Sequence, residues 1–293
     1  MKPTLLIMAA GLGSRYGGLK QIDPVGPNGE ILLEFALKDA LTLGIEEVVV
    51  VVSETIRADF ESMIVSKYPA LKITLVTQTL TSLPTGFSPN PERVKPWGTA
   101  HAVWCARDII TGPFIVMNAD DFYGRDALSQ AYNFLLSNED PTSHCIITYP
   151  ITSTLSEYGT VSRGICEVEN NHLTKIVEHT KVARKDGKLI HTAEDGHEII
   201  VPENAPANMN LFGFHKSFFE ILNRECQDFF AEFITDSKRE FFLPSVVMQI
   251  IKENAGTITA ISTTSSWFGM TYPEDRLEAK NKIQALIDQG AYL

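Results

Sequence analysis

At 293 residues the chain is long for one small module, and about 150 residues per domain sets a prior of two units. With 44% apolar and 21% charged residues it falls within ordinary globular usage, which excludes wholesale disorder and fibrous repeats. Its 25 Lys and Arg against 36 Asp and Glu leave a net charge of −11, which argues against nucleic acid or an anionic membrane as the main partner, while phosphorylated small molecules need only local positive charge.

The opening MKPTLLIMAAGLG superficially imitates a signal peptide, but its apolar run is short and a Gly/Arg/Lys cluster follows directly, so Thr4–Ala9 reads as a buried first strand entering a glycine-rich loop. An apolar stripe at 3/4 spacing over Ile31–Leu43 predicts an amphipathic helix stopped by Gly44. Val48–Val52 is five valines in succession, a strand buried on both faces, followed by a helix over Ile56–Ser66 and a strand at Ile73–Thr77. The stretch Thr79–Pro96 carries four prolines and exceeds an ordinary connection, which suggests a mobile lid that closes over a ligand, with Arg93 or Lys95 near the base or phosphates of a nucleotide and Trp97 at its hinge. A helix from Thr99 to about Ile109 and a strand at Phe114–Asn118 complete an alternating first portion, residues 1–140. From Ser143 to Phe214 the pattern turns β-rich, with Asp186-Gly187 and Asp195-Gly196 as hairpin turns. Helix returns at Phe241–Lys252, then a strand at Thr257–Ile261 and a last helix from Pro273 to about Gln289. No repeat is visible, and no stretch reaches the roughly 18 apolar residues of a membrane helix. The four cysteines form no CxxC pair, so a disulfide framework is unexpected and a reducing, cytoplasmic setting fits.

Alternating strands and helices imply βαβ units and a doubly covered, mainly parallel α/β sheet. In such sheets ligands sit at the carboxyl ends of strands. The segment after the first strand, Ala9 to Gln21, has Gly11, Gly13, Gly17 and Gly18 to turn backbone N–H groups toward a ligand, and Arg15 and Lys20 to add fixed positive charge. A triphosphate needs such donors and cations. The spacing fits neither a dinucleotide fingerprint, since Gly17 falls one residue late, nor a P-loop, since Leu19 follows Gly18. Val116-Met117-Asn118-Ala119-Asp120-Asp121 ends a buried strand in two carboxylates, of which alternation aims only one easily into a given cleft.

Gly11-x-Gly13-x-Arg15 followed by Lys20 resembles the phosphate loop of the sugar-1-phosphate nucleotidylyltransferases, which join a nucleoside triphosphate to a sugar phosphate and release pyrophosphate. The proline common before the lysine is here Leu19. Gly98-Thr99-Ala100-His101-Ala102 is similar to the base-binding segment of the N-acetylglucosamine uridylyltransferases. Glu157-Tyr158-Gly159-Thr160, Ile176-Val177-Glu178-His179 and Asn208-Met209-Asn210-Leu211 resemble the family's sugar-facing segments. The resemblance implies the nucleotide-diphospho-sugar transferase fold, a Rossmann-like sheet with helices on both faces. It makes residues 1–293 one domain, with a nucleotide-binding portion to about 140 and a sugar-binding portion with C-terminal helices beyond it. It implies that Ala10, Gly11, Gly13, Ser14, Gln78, Gly98 and Thr99 bind the nucleotide and that Arg15 meets the β and γ phosphates. Lys20 would meet the α-phosphate region, and Asp120, with Asp121 in reserve, Mg²⁺. Gly159, Glu178 and Asn208, with Asn210 close behind, would face the sugar. Thr99 has an ordinary alternative as a helix cap, and His101 as a neutral side chain of core or helix surface. Where relatives carry a second metal-binding acid this sequence has Gly269, which leaves Asp275 or another group to substitute. The implied partners are a nucleoside triphosphate and a sugar phosphate, and a homo-oligomer is compatible. An enzyme acting on phosphocholine or a polyol phosphate, and a non-catalytic nucleotide-sugar sensor, are the competing readings.

Overall fold

The computed structural model describes residues 1–11, 23–193, 195–270 and 272–292. Of the residues singled out above, Gly13, Ser14, Arg15, Gly17, Gly18, Leu19, Lys20 and Gln21 lie outside them.

The first strands are apolar on both faces because both faces are covered. In β1 (Thr4–Ala9), Leu5, Ile7 and Ala9 enter one core while Leu6 and Met8 enter the other. The valines of β2 (Glu47–Val52) divide the same way, Val48, Val50 and Val52 against Val49 and Val51. Burying one such side chain contributes roughly 1.5–3 kcal/mol, so a strand that feeds two cores is strongly held. Helix α1 (Leu32–Leu43) ends at Gly44, which takes φ +74° and returns its N–H to Ala40 and Leu41 carbonyls. Helix α2 (Glu54–Phe60) runs on through a π-helical turn at Glu61–Val65 and leads to β3 (Lys72–Thr77). Helix α3 (Thr99–Cys105) is shorter than expected, the chain continuing in turns to Ile110 before β4 (Phe114–Asn118). The short strand β5 (Asp121–Phe122) follows, then α4 (Arg125–Ser137), a helix the apolar spacing had not signalled.

The β-rich part comprises β6 (Ser143–Pro150), β7 (Val161–Glu169), β8 (His172–Lys185), β9 (Lys188–Thr192), β10 (Glu198–Ile200) and β11 (Pro206–Phe214). A second unsignalled helix, α5 (Phe218–Phe233), precedes α6 (Leu243–Lys252). The chain closes with β12 (Thr257–Ser262), β13 (Phe268–Gly269) and α7 (Asp275–Asp288). Among the described residues eleven strands form one sheet in the order β10-β9-β8-β12-β6-β11-β4-β1-β2-β3, with β7 pairing β11 and β8. The expected α/β sheet is therefore present, but it is mixed rather than mainly parallel. β3, β2, β1 and β4 run parallel. β11 then enters antiparallel between β4 and β6, and β7 to β10 are antiparallel throughout. Strand β13 pairs β5 in a small second sheet beside α7. No helix among the described residues is long and apolar enough to cross a membrane.

The 79–96 segment is bolted down where a mobile lid was expected. Leu80, Leu83 and Phe87 pack on the core that holds α3, α5 and α6. Arg93, expected near the base or phosphates, is 2% exposed and donates to the carbonyls of Lys95, Pro96, Asp236 and Arg239, its guanidinium 3.5 Å from the Trp97 ring centroid. Trp97 is fully buried and donates its indole N–H to Leu80 O, which suits a core residue better than a hinge.

Candidate active site

The parallel strands deliver their carboxyl ends to one edge, and the residues named for the nucleotide gather there. Ala10 and Gly11 follow β1, Gln78 follows β3, Gly98 and Thr99 open α3, and Asp120 follows β4. Gly98 is obligatory by geometry: its φ is +103°, and a Cβ there would stand 2.5 Å from Phe241 O. The close approach lets Ala100 N–H donate to Phe241 O and lets Thr99 Oγ1 accept the Leu243 N–H at 2.9 Å. The Thr99 hydroxyl thus serves the first turn of α6, and Gly98 is the cap residue of α3. Gln78 donates its side-chain N–H groups to Gly98 O (3.1 Å) and His101 Nδ1 (2.9 Å). His101 completes the chain by donating from Nε2 to Ser82 O. It is fully buried, and burial pulls its pKa down to about 4, so the ring is neutral and structural.

A cavity of about 530 Å³ opens beside this edge. Thr99, Asp120 and Asp121 line one end and Glu178, Asn208 and Asn210 another, so the structure brings the predicted metal-binding and sugar-facing residues together. The floor follows from strand register. Asn208 of β11 pairs with Gly164 of β7, which pairs with Glu178 of β8, so the three form one row across three antiparallel strands. Gly164 leaves the middle of the row open, since its Cβ would lie 2.9 Å from Ile176 Cγ2 and 3.5 Å from Asn208. A bulge after Asn208 puts Asn210 at φ +61°, and Asn210 N–H donates to Asn208 Oδ1 at 2.9 Å. Burial raises the Glu178 carboxyl above its usual range, and the Arg163 charge partly offsets this.

At the other end Asp120 is half-buried in the turn after β4, while Asp121 is buried and accepts from Asn118 Nδ2 at 2.8 Å. Gly269 sits opposite Asp121 in the β5–β13 pair, and a Cβ on it would fall 2.2 Å from Asp121 Oδ1. The Asp121 carboxylate therefore fills the space that a side chain at 269 would take. Two carboxylates at a cavity wall are hard oxygen donors of the kind Mg²⁺ uses. No group of three or more His, Cys, Asp and Glu suited to a metal occurs among the described residues. Asp275 accepts from Tyr272 N–H and Ser156 Oγ and does not line this cavity.

Gly159 is not brought to Glu178 and Asn208. It lines a second cavity, of about 980 Å³, between residues 152–160 and α7, and a Cβ there would meet Tyr272 Oη at 2.7 Å. Among the cavity-lining residues that no sequence motif revealed are Arg163, Met248, which accepts Ile176 N–H on its sulfur, and Trp267, shared by both cavities.

The sequence pattern of the family described as Nucleotidyl transferase matches residues 4–264. No curated protein matches the chain. Among solved structures it is similar to the inositol-1-phosphate CTP transferase from T. maritima, at 15% identity and TM-score 0.63, covering 97% of this chain and 96% of that one. It is also similar to a putative glucose-1-phosphate thymidylyltransferase from Bacillus anthracis in complex with a sucrose, at 12% identity and TM-score 0.63, covering 96% and 95%. At these identities the likeness establishes the fold, whereas the family pattern spans most of the sequence. With that pattern over residues 4–264 and a polar floor beside the carboxyl ends of the parallel strands, the chain belongs to the nucleotidyl transferase family, enzymes that transfer nucleotidyl groups.

Proposed function

We propose that the enzyme joins a nucleoside triphosphate to a sugar 1-phosphate, giving a nucleotide sugar and pyrophosphate. The observation that carries this reading is the row Asn208–Gly164–Glu178, a polar floor facing the same cavity as Asp120. Glu178 and Asn208 accept and donate to ring hydroxyls, and the open middle at Gly164 admits a ring. An oxygen of the sugar phosphate attacks the α-phosphorus in line, and the bond to the pyrophosphate leaving group breaks. The nucleophile is already ionised, so no general base is required, and catalysis is positioning and charge neutralisation. Arg15 and Lys20 hold the triphosphate, and Asp120 holds Mg²⁺ with Asp121 beside it. Mg²⁺ held there would offset charge on the α-phosphate of the transferred nucleotidyl group and on the pyrophosphate that leaves.

A polyol phosphate is the second reading, favoured by the equal TM-score of the inositol-1-phosphate CTP transferase. Both substrates are polyhydroxylated phosphates and could use the same floor. Pyrophosphate release, measured with each common nucleoside triphosphate against sugar and polyol phosphates, tests both, and product mass separates them. Absence of pyrophosphate with every pair would overturn the catalytic reading in favour of a sensor.

A further inference from the structure

The described residues lining the 530 Å³ cavity bring three carboxylates, those of Asp120, Asp121 and Glu178, and one guanidinium, that of Arg163. Among the described lining residues Arg163 is the one cation, so an anionic substrate beside Glu178 meets opposite charge there. Arg163 is held in place rather than left to swing. Its Nε donates to Thr154 O at 3.0 Å and Oγ1 at 3.1 Å, Nη1 to Ser162 O at 2.8 Å, and Nη2 again to Thr154 O. A register shift in β7 between Val161 and Arg163 sets the residue opposite His179, next to Glu178.

The guanidinium carbon lies 5.0 Å from the centroid of the Trp267 ring. Trp267 is only 6% exposed, and its indole N–H has no acceptor among the described residues. The other two tryptophans donate, Trp97 to Leu80 O and Trp104 to Asn223 Oδ1. Buried donors without acceptors are few in native proteins, and one at a cavity wall points to an acceptor that arrives with a ligand. The far edge of the ring packs on Gly269, with Cζ2 3.0 Å from the position of a Cβ there, beside Asp121. Arg163 and Trp267 thus share one cavity with the carboxylate pair and the Asn208–Glu178 floor, the Trp267 ring beside Asp121 and the Arg163 charge felt by Glu178.

We propose that Arg163 and the Trp267 indole N–H form the phosphate-binding end of the second-substrate subsite. The guanidinium pairs with the phosphate of a sugar or polyol phosphate, and the indole N–H donates to an oxygen of the same molecule. This assignment rests on the proposed function, but its test does not require turnover. In ¹⁵N–¹H spectra of the full chain the Trp267 indole resonance is identified by its loss in Trp267→Phe. Inorganic phosphate, glucose 1-phosphate and glucose are then titrated without triphosphate. The two phosphates should shift the Trp267 resonance, glucose should not, and Trp97 and Trp104 should stay in place. Arg163→Gln should weaken the phosphate response at least tenfold, and Arg163→Lys should keep part of it, which also covers the case in which the glutamine variant fails to fold. A Trp267 resonance indifferent to phosphate, or equally responsive in the Arg163 variants, would overturn the assignment. Phosphate binding through Arg163 without turnover on any substrate pair would instead refute the proposed reaction and leave the anion subsite standing. With a productive pair, both variants should raise KM for the phosphorylated acceptor at least tenfold and leave KM for the triphosphate within twofold. A purely structural role would lower Tm without that split.

Discussion

Replacing Gly269 by alanine tests the packing at the carboxylate end most directly. The new Cβ would stand 2.2 Å from Asp121 Oδ1, where ordinary contact begins at 3.4 Å, so the carboxylate must retreat by 1.2 Å. Its other oxygen accepts from Asn118 Nδ2 at 2.8 Å and lies 3.3 Å from the Tyr123 hydroxyl, and a retreat of that size lengthens or breaks those contacts. Overpacking costs about 1–3 kcal/mol and a lost hydrogen bond to a charged group about 1.5–3 kcal/mol; with partial relaxation the sum is about 2–4 kcal/mol. For a chain of this size that lowers Tm by roughly 4–8 °C, readable by calorimetry. In an Asp121→Ala background the 2.2 Å clash is gone and only the Trp267 ring, 3.0 Å away, must yield slightly, so Gly269→Ala should cost about 1 kcal/mol or less, a clear negative coupling. Gly269→Asp, which installs the acid that the family resemblance implies there, should be worse than alanine for the same steric reason. A Gly269→Ala protein that melts within a degree of wild type, or an equal cost in both backgrounds, would refute this account of the wall.

Lys20→Ala and Arg15→Ala should each lower kcat/KM for the triphosphate about 10- to 150-fold, the equivalent of one charge-assisted contact; wild-type kinetics in either would remove the phosphate-loop assignment. Glu178→Gln should separate stability from function: burial raises the carboxyl, so its ionised form opposes folding at neutral pH, and the amide should raise Tm while raising KM for the sugar phosphate. With Glu178 present that KM should also climb as pH falls through the raised value, and the glutamine variant should lack that part of the profile. Arg93→Ala strands four backbone carbonyls and should cost about 3 kcal/mol or more by urea unfolding; a neutral result would restore the lid reading. His101 and His144 have pKa values depressed by burial to about 4, so the unfolded chain takes up protons first, and the stability they give is full above 6.5 and lost as pH falls from there through 4. His101→Gln should flatten that slope in pH-dependent urea melts.

Strands β1 to β4 were legible because burial on both faces leaves continuous apolar runs, and α1 because Gly44 supplies an αL stop. Helices α4 and α5 were not. The buried face of α4 is Ala127, Leu128, Ala131, Tyr132 and Leu135, whose small and half-polar members give a weak stripe. That of α5 includes Phe218, Phe219 and Phe230, residues equally at home in a strand. Strand direction leaves no compositional mark, so the antiparallel entry of β11 could not be read. The role of Arg93 was hidden for another reason: two of its acceptors, Asp236 O and Arg239 O, lie 143 and 146 residues away. Of the site, Glu178, Asn208 and Asp120 stood out because each belongs to a short ordered pattern. Arg163 and Trp267 belong to none, and only the meeting of β7 with the segment before β13 places them together.

The reversal at β11 is what makes one cavity out of two halves. β11 pairs antiparallel with β4, matching Phe212 to Val116 and Phe214 to Phe114, so its earlier residues extend past the end at which β4 delivers Asn118 and Asp120. A parallel β11 would have carried Asn208 and Asn210 to the opposite edge, away from the nucleotide. The junction is tied by Tyr123, whose hydroxyl accepts Asn118 N–H at 3.1 Å and donates to Met209 O at 2.6 Å, joining the end of β4 to the bulge of β11. A bulge is free to re-aim side chains, and here it turns both asparagines toward the cavity. The mixed sheet is therefore a condition of the cavity: four parallel strands present the edge that carries Gln78 and Asp120, and one reversed strand lays Asn208 and Asn210 against it.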